Sequence, residues 1–357
     1  MRLSIISFTQ NGIALSKKLA QELKGVELAL FTKCSHHGPE FIEQSIGDWA
    51  REQMKEKNAL LFIGACGIAV RAIAPYIADK LQDSPVLVMD EKGTYVIPIL
   101  AGHMGGANEI ALQIAEKTGA IPVITTATDI NHKFAVDLFA KKNHLHIANK
   151  DGIAKVSSQV LAGEKITMSI EPGHMDEKTQ IPEEIQLVSY PPQQLVDIVV
   201  TAEAQDYDAS ICLRPKEYVI GMGCKRGKEA EKIEALIQSS LQETGIHREQ
   251  IFALASIDKK KDEEGLLRWS RKENIPFLTF SAEQLQEVEG NFNISAFVKE
   301  QVGVDNVCER AALAACEREN EEKRNQHVGK IIYEKHAEDG MTIAIAKREW
   351  RVVFDAE

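Results

Sequence analysis

Short apolar segments alternate with longer amphipathic segments from the start of the chain, and this alternation limits the folds that it can adopt. The run Leu60–Gly64 is apolar throughout, as expected for a strand that is covered on both faces. A strand–helix–strand order of this kind predicts a doubly wound, mostly parallel α/β sheet in the N-terminal part. Strands are predicted at 2–8, 26–31, 60–64, 86–89, 94–100 and 121–126, and helices at 12–24, 40–56 and 107–118.

The alternation changes twice along the chain. Strand candidates at 165–170, 185–189, 197–201 and 209–214 cluster among prolines, which predicts a small α+β middle region or connector. A second α/β unit begins at Glu217 with a strand at 218–221. A chain of 357 residues exceeds the size at which a single core stops growing, roughly 250–300 residues. We therefore expect three domains, at 1–143, 144–216 and 217–357.

Charge and composition argue against several classes of protein. The formal net charge of -11 disfavours attraction to nucleic acid or to an anionic membrane. Apolar runs stay below the roughly 18–20 residues of a membrane span, and the first residues lack signal-peptide features. The six cysteines show no zinc-ligand spacing, so we expect free thiols, no protein-bound metal and a cytoplasmic location.

Four loops with unusual residues are predicted at the carboxyl ends of strands, where ligands bind in sheets of this kind. The first contains Gly64, Cys66 and Gly67, with Arg71 one turn later. Its glycines and helix N-terminus suit an anion, although a plain tight turn is an equal alternative. The second, residues 90–93, includes Glu91 and by itself is typical of a hairpin turn.

The third loop, residues 102–109, carries the strongest signal. His103 lies among glycines at a strand-to-helix junction, where we expect an exposed imidazole that exchanges protons near neutral pH. The glycines Gly102, Gly105 and Gly106 cost chain entropy that a plain loop seldom carries. Close packing between the helix and the sheet is the alternative explanation.

The fourth loop, residues 221–228, has the sequence GMGCKRGK. It matches neither the dinucleotide fingerprint nor the Walker loop, so only a general anion site is predicted. Lys260 belongs to a second basic cluster, residues 259–261. The two clusters should converge if their strands are parallel neighbours, which suits a small polyanionic ligand. Glu309 begins a later helix, where it could favour the helix end or face a site.

With these loops in view, the sequence resembles the cobalt-precorrin-5A hydrolase family. The densest match is residues 64–129, which contain the first three loops. The C-terminal part is matched by the motifs at 221–228, 256–266 and 303–313. The resemblance covers roughly two thirds of the chain, and residues 1–50 and 140–216 agree only in general character.

The resemblance implies a reaction. Water opens the δ-lactone of cobalt-precorrin-5A, and cobalt-precorrin-5B and acetaldehyde are formed. No cofactor is implied, because the cobalt arrives within the substrate. The implied partner is this cobalt-corrinoid intermediate, and a homodimer and transient contacts with the neighbouring pathway methyltransferases are compatible with it.

Lactone opening needs a base for water and a donor for the developing oxyanion. We expect His103 to be the base, oriented by Glu91 or Glu109 or assisted by one of them as a second acid or base. The amides of Gly105 and Gly106 would meet the oxyanion. Axial ligation of the cobalt by His103 is a rival role.

Other loop residues are expected to bind the acetate and propionate groups of the substrate. A non-catalytic tetrapyrrole carrier and a nucleotide-dependent α/β enzyme are the competing functions. The expected binding residues are Gly64, Cys66, Gly67, Arg71, Gly102, Gly105, Gly106, Asn108, Gly221, Gly223, Cys224, Lys225, Arg226, Gly227, Lys260, Glu263 and Glu309.

Overall fold

The computed structural model describes residues 2–34, 38–79, 82–292, 303–317 and 329–354. The chain divides into two compact units. The first is Met1–Leu138 with Val160–Gly163, and the second is Phe139–Gln159 with Glu164–Glu357. The domain boundaries that we predict at 143 and 216 stay predictions. Among the described residues, the helices are all too short or too polar to cross a membrane.

A single sheet with the strand order β3-β2-β1-β4-β5-β6-β7 organises the first unit. Its elements in chain order are β1 (Leu3–Ser7), α1 (Gln10–Glu22), β2 (Leu28–Thr32), β3 (Glu40–Phe41), α2 (Ile46–Lys55), β4 (Ala59–Ile63), α3 (Cys66–Ile73), β5 (Val86–Met89), β6 (Tyr95–Leu100), α4 (Ala107–Thr118), β7 (Ile121–Pro122) and α5 (Ala127–Ile130).

Strand β4 shows why this sheet is covered on both faces. Its residues alternate in direction. Leu61 and Ile63 join the core beneath α1 and α4, whereas Leu60 and Phe62 join the core beneath α2 and α3. All five residues of β4 are buried. The predicted doubly wound sheet is therefore confirmed.

Two parts of the first unit differ from the predicted elements. The helix predicted at 40–56 is divided into β3 and α2, because the Ser45 hydroxyl accepts a hydrogen bond from Asp48 N and caps a helix that begins at Ile46. The strand predicted at 121–126 shortens to Ile121–Pro122, although Val123 N still donates to Val96 O.

Strand β6 reverses the direction of the sheet. Strands β1 to β5 are mutually parallel, β6 is antiparallel to β5, and β7 is parallel to β6. The sheet thus has two carboxyl edges, one for β1 to β5 and the opposite one for β6 and β7. The first and third predicted loops therefore lie at opposite edges of the sheet.

The second unit holds two further sheets, with the orders β10-β9-β11-β12-β8 and β15-β14-β13-β17-β16. They confirm the α+β middle region and the second α/β region. The remaining elements are α6 (Val136–Lys142), β8 (Leu145–Ile147), α7 (Asp151–Leu161), β9 (Ile166–Ile170), β10 (Ile185–Val188), β11 (Val196–Val200), β12 (Ala209–Pro215), β13 (Tyr218–Cys224), α8 (Ala230–Thr244), β14 (Ile251–Ile257), α9 (Glu264–Glu273), β15 (Phe277–Phe280), α10 (Ala282–Glu287), α11 (Cys308–Glu317), β16 (Gly329–Glu338) and β17 (Met341–Arg348).

The last sheet is also covered on both faces, by α8 and α9 on one side and by α11 on the other. Helix α11 lies very close to β13 at Gly221. A Cβ atom on Gly221 would lie 1.9 Å from the carbonyl oxygen of Cys308. Only glycine permits this approach, so Gly221 is required for packing.

Candidate functional site

The polar cluster of the first unit lies at the shared carboxyl edge of β6 and β7. His103 follows β6, and Asp129 follows β7 on the short helix α5. Asp137 comes from the beginning of α6. All three side chains belong to the first unit.

The loop that carries His103 is closed by its own backbone. Gly106 N donates to His103 O over 3.0 Å, and Ala107 N donates to Ala101 O over 3.1 Å. A Cβ atom on Gly105 would lie 2.5 Å from that of Ala101, so the chain must be glycine there. The close-packing explanation thus accounts for Gly105. The Gly106 amide that we expected at an oxyanion is used inside the loop, which corrects that prediction.

Both ring nitrogens of His103 face carboxylates. Nδ1 lies 3.2 and 3.3 Å from the two oxygens of Asp137, and Nε2 lies 3.0 Å from Asp129 Oδ2. The Thr128 hydroxyl lies 3.4 Å from the same Nε2. The His103 side chain is only 8% exposed, so the expected exposed imidazole is wrong. Its loop turns the ring towards two carboxylates that cover it.

The two carboxylates differ in their access to solvent. The side chain of Asp137 is 3% exposed and that of Asp129 is 28% exposed. Burial on its own would lower the pKa of His103. The hydrogen bond and charge of Asp137, with those of Asp129, outweigh burial and raise the pKa above its usual value. The cluster is therefore an imidazole of raised pKa between one buried and one accessible carboxylate.

Glu91 lies at the opposite edge of the sheet from this cluster. It follows β5, and its Oε2 accepts a hydrogen bond of 2.7 Å from the Thr9 hydroxyl just after β1. The length of β6, about 17 Å at 3.4 Å per residue, separates the two edges. The prediction that Glu91 orients His103 is wrong because β6 reverses direction. Glu109 is an exposed residue on α4 that accepts from Gln113, and its role stays a prediction.

The first predicted loop shares the edge of Glu91. Gly64 N donates to Met89 O, and Cys66 begins α3 as an exposed residue. Arg71 is also exposed, and its guanidinium lies 3.3 Å from the position of a Cβ atom on Gly67. Their binding of substrate stays a prediction, at an edge different from that of His103.

The fourth loop holds a carboxylate of its own. Glu263 is 5% exposed, and its Oε1 accepts hydrogen bonds from Gly227 N at 2.7 Å and Lys228 N at 3.2 Å. Lys260 Nζ donates to Oε2 at 3.0 Å. Arg226 donates to Lys259 O, which confirms that the two basic clusters converge. The amides expected to bind a ligand anion are thus capped from within the chain.

Other residues predicted at the fourth loop are structural in this fold. Gly221 is buried beneath α11, and Gly223 O accepts a hydrogen bond from the Thr342 hydroxyl. Glu309 is 2% exposed and accepts from Lys335 N at 2.9 Å and from the Asn306 amide. Burial raises the pKa of the Cys224 thiol to about 11. We predicted that Gly221 and Glu309 bind the substrate directly. The structure corrects this prediction, because Gly221 serves in packing and Glu309 in hydrogen bonding within the chain.

Sequence reasoning missed both carboxylates of the cluster. Asp129 closes the densest stretch of resemblance and follows a predicted strand, so its position at a strand end was a usable signal. Asp137 stands inside the apolar run 134–140, and an acidic residue predicted to be buried needs a partner. That its partner is His103, 34 residues earlier, depends on the tertiary fold.

Family models of three segments match the chain. They are Cobalamin synthesis G N-terminal over residues 48–129, Cobalamin biosynthesis central region over 134–215, and Cobalamin synthesis G C-terminus over 218–346. Together these segments span well over half of the chain.

Named relatives agree with these models. The cobalt-precorrin-5A hydrolase of Salmonella typhimurium is 32% identical over 368 residues, which cover 96% of this chain and 97% of the relative. That of Priestia megaterium is 30% identical over 80% of this chain and 81% of its own. A crystal structure of a cobalamin biosynthesis protein G homolog from Sulfolobus solfataricus covers 98% of this chain and 97% of its own, at 23% identity and a TM-score of 0.41.

Proposed function

The chain belongs to the cobalt-precorrin-5A hydrolase family, and we propose that Asp129, His103 and Asp137 form the centre that opens the lactone. The family fixes the activity as that of a hydrolase in cobalamin biosynthesis. The observation that supports this centre is an imidazole whose two ring nitrogens face a buried and an accessible carboxylate.

Asp129 is the base in this proposal, in place of His103. The carboxylates raise the pKa of His103, and both ring nitrogens already face them in a side chain that is only 8% exposed. Neither nitrogen is therefore directed at a water molecule on the substrate. The partly exposed Asp129 can reach a substrate. Asp137 holds the imidazole from the buried side, and the imidazole orients Asp129 through Nε2. His103 and Asp137 are thus positioning residues.

The first step is hydrolysis of the ester. Asp129 takes a proton from water while the water oxygen bonds to the lactone carbonyl carbon. The ester C–O bond then breaks, and the departing oxygen takes the proton back from Asp129. The products of this step are a carboxylic acid and a secondary alcohol on the two-carbon branch.

The second step releases acetaldehyde. Asp129 removes the proton of the new hydroxyl, a C=O bond forms, and the C–C bond to the macrocycle breaks. The electron pair stays on the macrocycle carbon, which takes up the proton. Neither step changes the overall oxidation level, so we propose that no redox cofactor takes part and that cobalt belongs to the substrate.

Both ring nitrogens of His103 are engaged by carboxylates. Axial ligation of cobalt needs a free nitrogen lone pair, so this arrangement disfavours the rival role. We also propose that the exposed cations Arg71, Lys225 and Arg226 bind acetate and propionate groups of the substrate. Nothing about their geometry is required for the acid and base steps.

The test is acetaldehyde release from anaerobically prepared cobalt-precorrin-5A, trapped as a hydrazone. Asp129→Asn should lower kcat by about 10²- to 10⁴-fold, because it removes a general base. His103→Gln should also lower kcat strongly, because it removes the ring that orients Asp129. Glu116→Gln is the matched control, since Glu116 is an exposed acid on α4 and its side chain is 71% exposed.

Wild-type turnover by Asp129→Asn would refute this centre. Tight binding of the corrinoid by the wild-type protein without turnover would instead favour a tetrapyrrole carrier.

Location and partners remain predictions. The six cysteines, all of them among the described residues, are thiols rather than disulfides, which suits a reducing cytoplasm. The cobalt-corrinoid is the proposed binding partner. A homodimer and transient contacts with the neighbouring pathway methyltransferases are testable by light scattering of the protein alone and mixed with each enzyme.

A further inference from the structure

Asn108 is the second residue of α4 and lies beside the cluster. It is 9% exposed. Its Nδ2 donates to Asp129 Oδ2 over 2.6 Å and to the Thr126 hydroxyl over 3.0 Å. Both amide protons of the side chain are therefore used, and the hydroxyl of Thr126 keeps the donor end of the amide turned towards Asp129.

The contacts of Asp129 are unequal between its two oxygens. Asn108 and His103 Nε2 both contact Oδ2, at 2.6 and 3.0 Å. Within the described part of the chain, Oδ1 has no side-chain or backbone donor. The side chain is 28% exposed. One oxygen is thus committed to the cluster, and the other is available.

We propose that Asn108 is a positioning residue that commits Asp129 Oδ2 to the cluster and leaves Oδ1 as the atom that takes the proton from water. This inference rests on the proposed function and adds the reacting atom and the residue that selects it. Bond by bond, the water O–H breaks, an Oδ1–H bond forms, and the water oxygen bonds to the lactone carbonyl carbon.

The physical reason is that a carboxylate can rotate about its Cβ–Cγ bond. His103 alone makes one contact and would allow either oxygen to face the imidazole. A second, charge-assisted donor on the same oxygen removes that freedom and holds Oδ1 outward. Thr126 acts on Asn108, because an amide turned the other way would place its oxygen against the carboxylate.

The test compares Asn108→Ala, Thr126→Val and Thr126→Ser by acetaldehyde release over a range of pH. Asn108→Ala should lower kcat by about 10- to 100-fold, from the loss of a charge-assisted hydrogen bond, and leave KM within about twofold. It should also move the acidic limb of the kcat/KM profile to higher pH. Thr126→Val should do the same to a smaller extent, and Thr126→Ser should restore wild-type behaviour.

Asn131→Ala is the matched control, because the Asn131 amide donates to Ala127 O at the end of α5. It should leave rate and profile unchanged. A wild-type profile in both Asn108→Ala and Thr126→Val, with Asp129→Asn inactive, overturns the positioning role alone. Wild-type turnover in Asp129→Asn overturns the centre and this inference together. A fall in rate with an unmoved profile also contradicts the proposal, because it indicates only a loss of fold.

Discussion

Two glycine-rich segments lead from a strand into a helix. They are the His103 loop, residues 101–106, and the fourth loop, residues 221–228, whose first residues are the end of β13. Each receives carboxylates from elsewhere in its own unit. At 101–106, Asp129 and Asp137 meet an imidazole, and one carboxylate oxygen remains available. At 221–228, Glu263 uses both oxygens on Gly227 N, Lys228 N and Lys260.

The difference teaches that a glycine-rich strand-to-helix loop does not by itself identify a reactive site. Glycines permit the turn, but residues from distant segments decide what the loop presents. The positive charge near the fourth loop is further neutralised, because Lys228 and Lys232 both bind the carboxylate of Asp339. Only a cluster that keeps an accessible acid or base can transfer protons.

The largest change in kcat within this comparison should come from Asp137, the buried carboxylate beside the His103 loop. Asp137→Asn removes the charge that holds the imidazolium of His103 in place. We expect kcat to fall by roughly 10- to 100-fold, less than in Asp129→Asn, because Asp137 acts on the base only through the imidazole. Acetaldehyde release under saturating substrate measures this change.

Circular dichroism and a thermal melt separate loss of the charge from loss of the fold. Asp137→Glu keeps the charge and serves as the companion variant, which we expect to be the more active of the two. If Asp137→Asn folds and retains wild-type kcat, Asp137 has no part in catalysis. The carboxylates of the His103 loop would then be structural, like Glu263 at the fourth loop.

The strands of the first sheet were predictable because burial on both faces leaves a distinctive apolar run. Val86–Met89 has the bounds that its sequence predicts. The direction of β6 was also predictable, because residues 90–93 are typical of a hairpin turn. The turn after β5 is a hairpin, in which Asp90 accepts from Lys92 N and Tyr95 N, so the next strand must run backwards. Local turn chemistry therefore determined which edge His103 occupies.

The candidate site was predictable only in part. His103 stood out because a histidine among glycines is an unusual local pattern. Its partners did not, since they lie 26 and 34 residues further along the chain and are joined to it only by the fold. The capping of the fourth loop by Glu263 could not be predicted for the same reason. Glu263 is adjacent to a lysine run, where a carboxylate normally signals a solvated surface.

At the fourth loop we expect a smaller effect, which changes the stability of the protein rather than its turnover. Glu263→Gln keeps the size of the side chain but removes the charge that accepts from two amides and a lysine. We expect the free energy of unfolding to fall by about 1.5–3 kcal/mol, the range for hydrogen bonds to a charged group. Urea denaturation followed by tryptophan fluorescence measures the change.

The control for this variant is Glu264→Gln, the next residue along, whose side chain is 67% exposed. It should have little effect on unfolding. A stable Glu263→Gln protein with a markedly altered KM would instead indicate that the fourth loop binds the substrate directly. Both loops would then contact the substrate, and they would differ only in the part of it that each contacts.

The smallest expected effect is a dependence of stability on pH that has opposite signs at two histidines. The carboxylates raise the pKa of His103, so its stabilising contribution is present below about 6.5 and is lost as pH rises through the raised value. Burial chiefly lowers the pKa of His146 on β8, so its penalty disappears as pH rises. Thermal melts from about pH 4 to 9 measure both effects. His103→Gln should remove a stabilising contribution that is lost as pH rises above about 6.5, and His146→Gln should remove a penalty that is present only below about 6.5. Equal slopes in wild type and His103→Gln would mean that the imidazole is not held as a cation, which would return the role of base to His103.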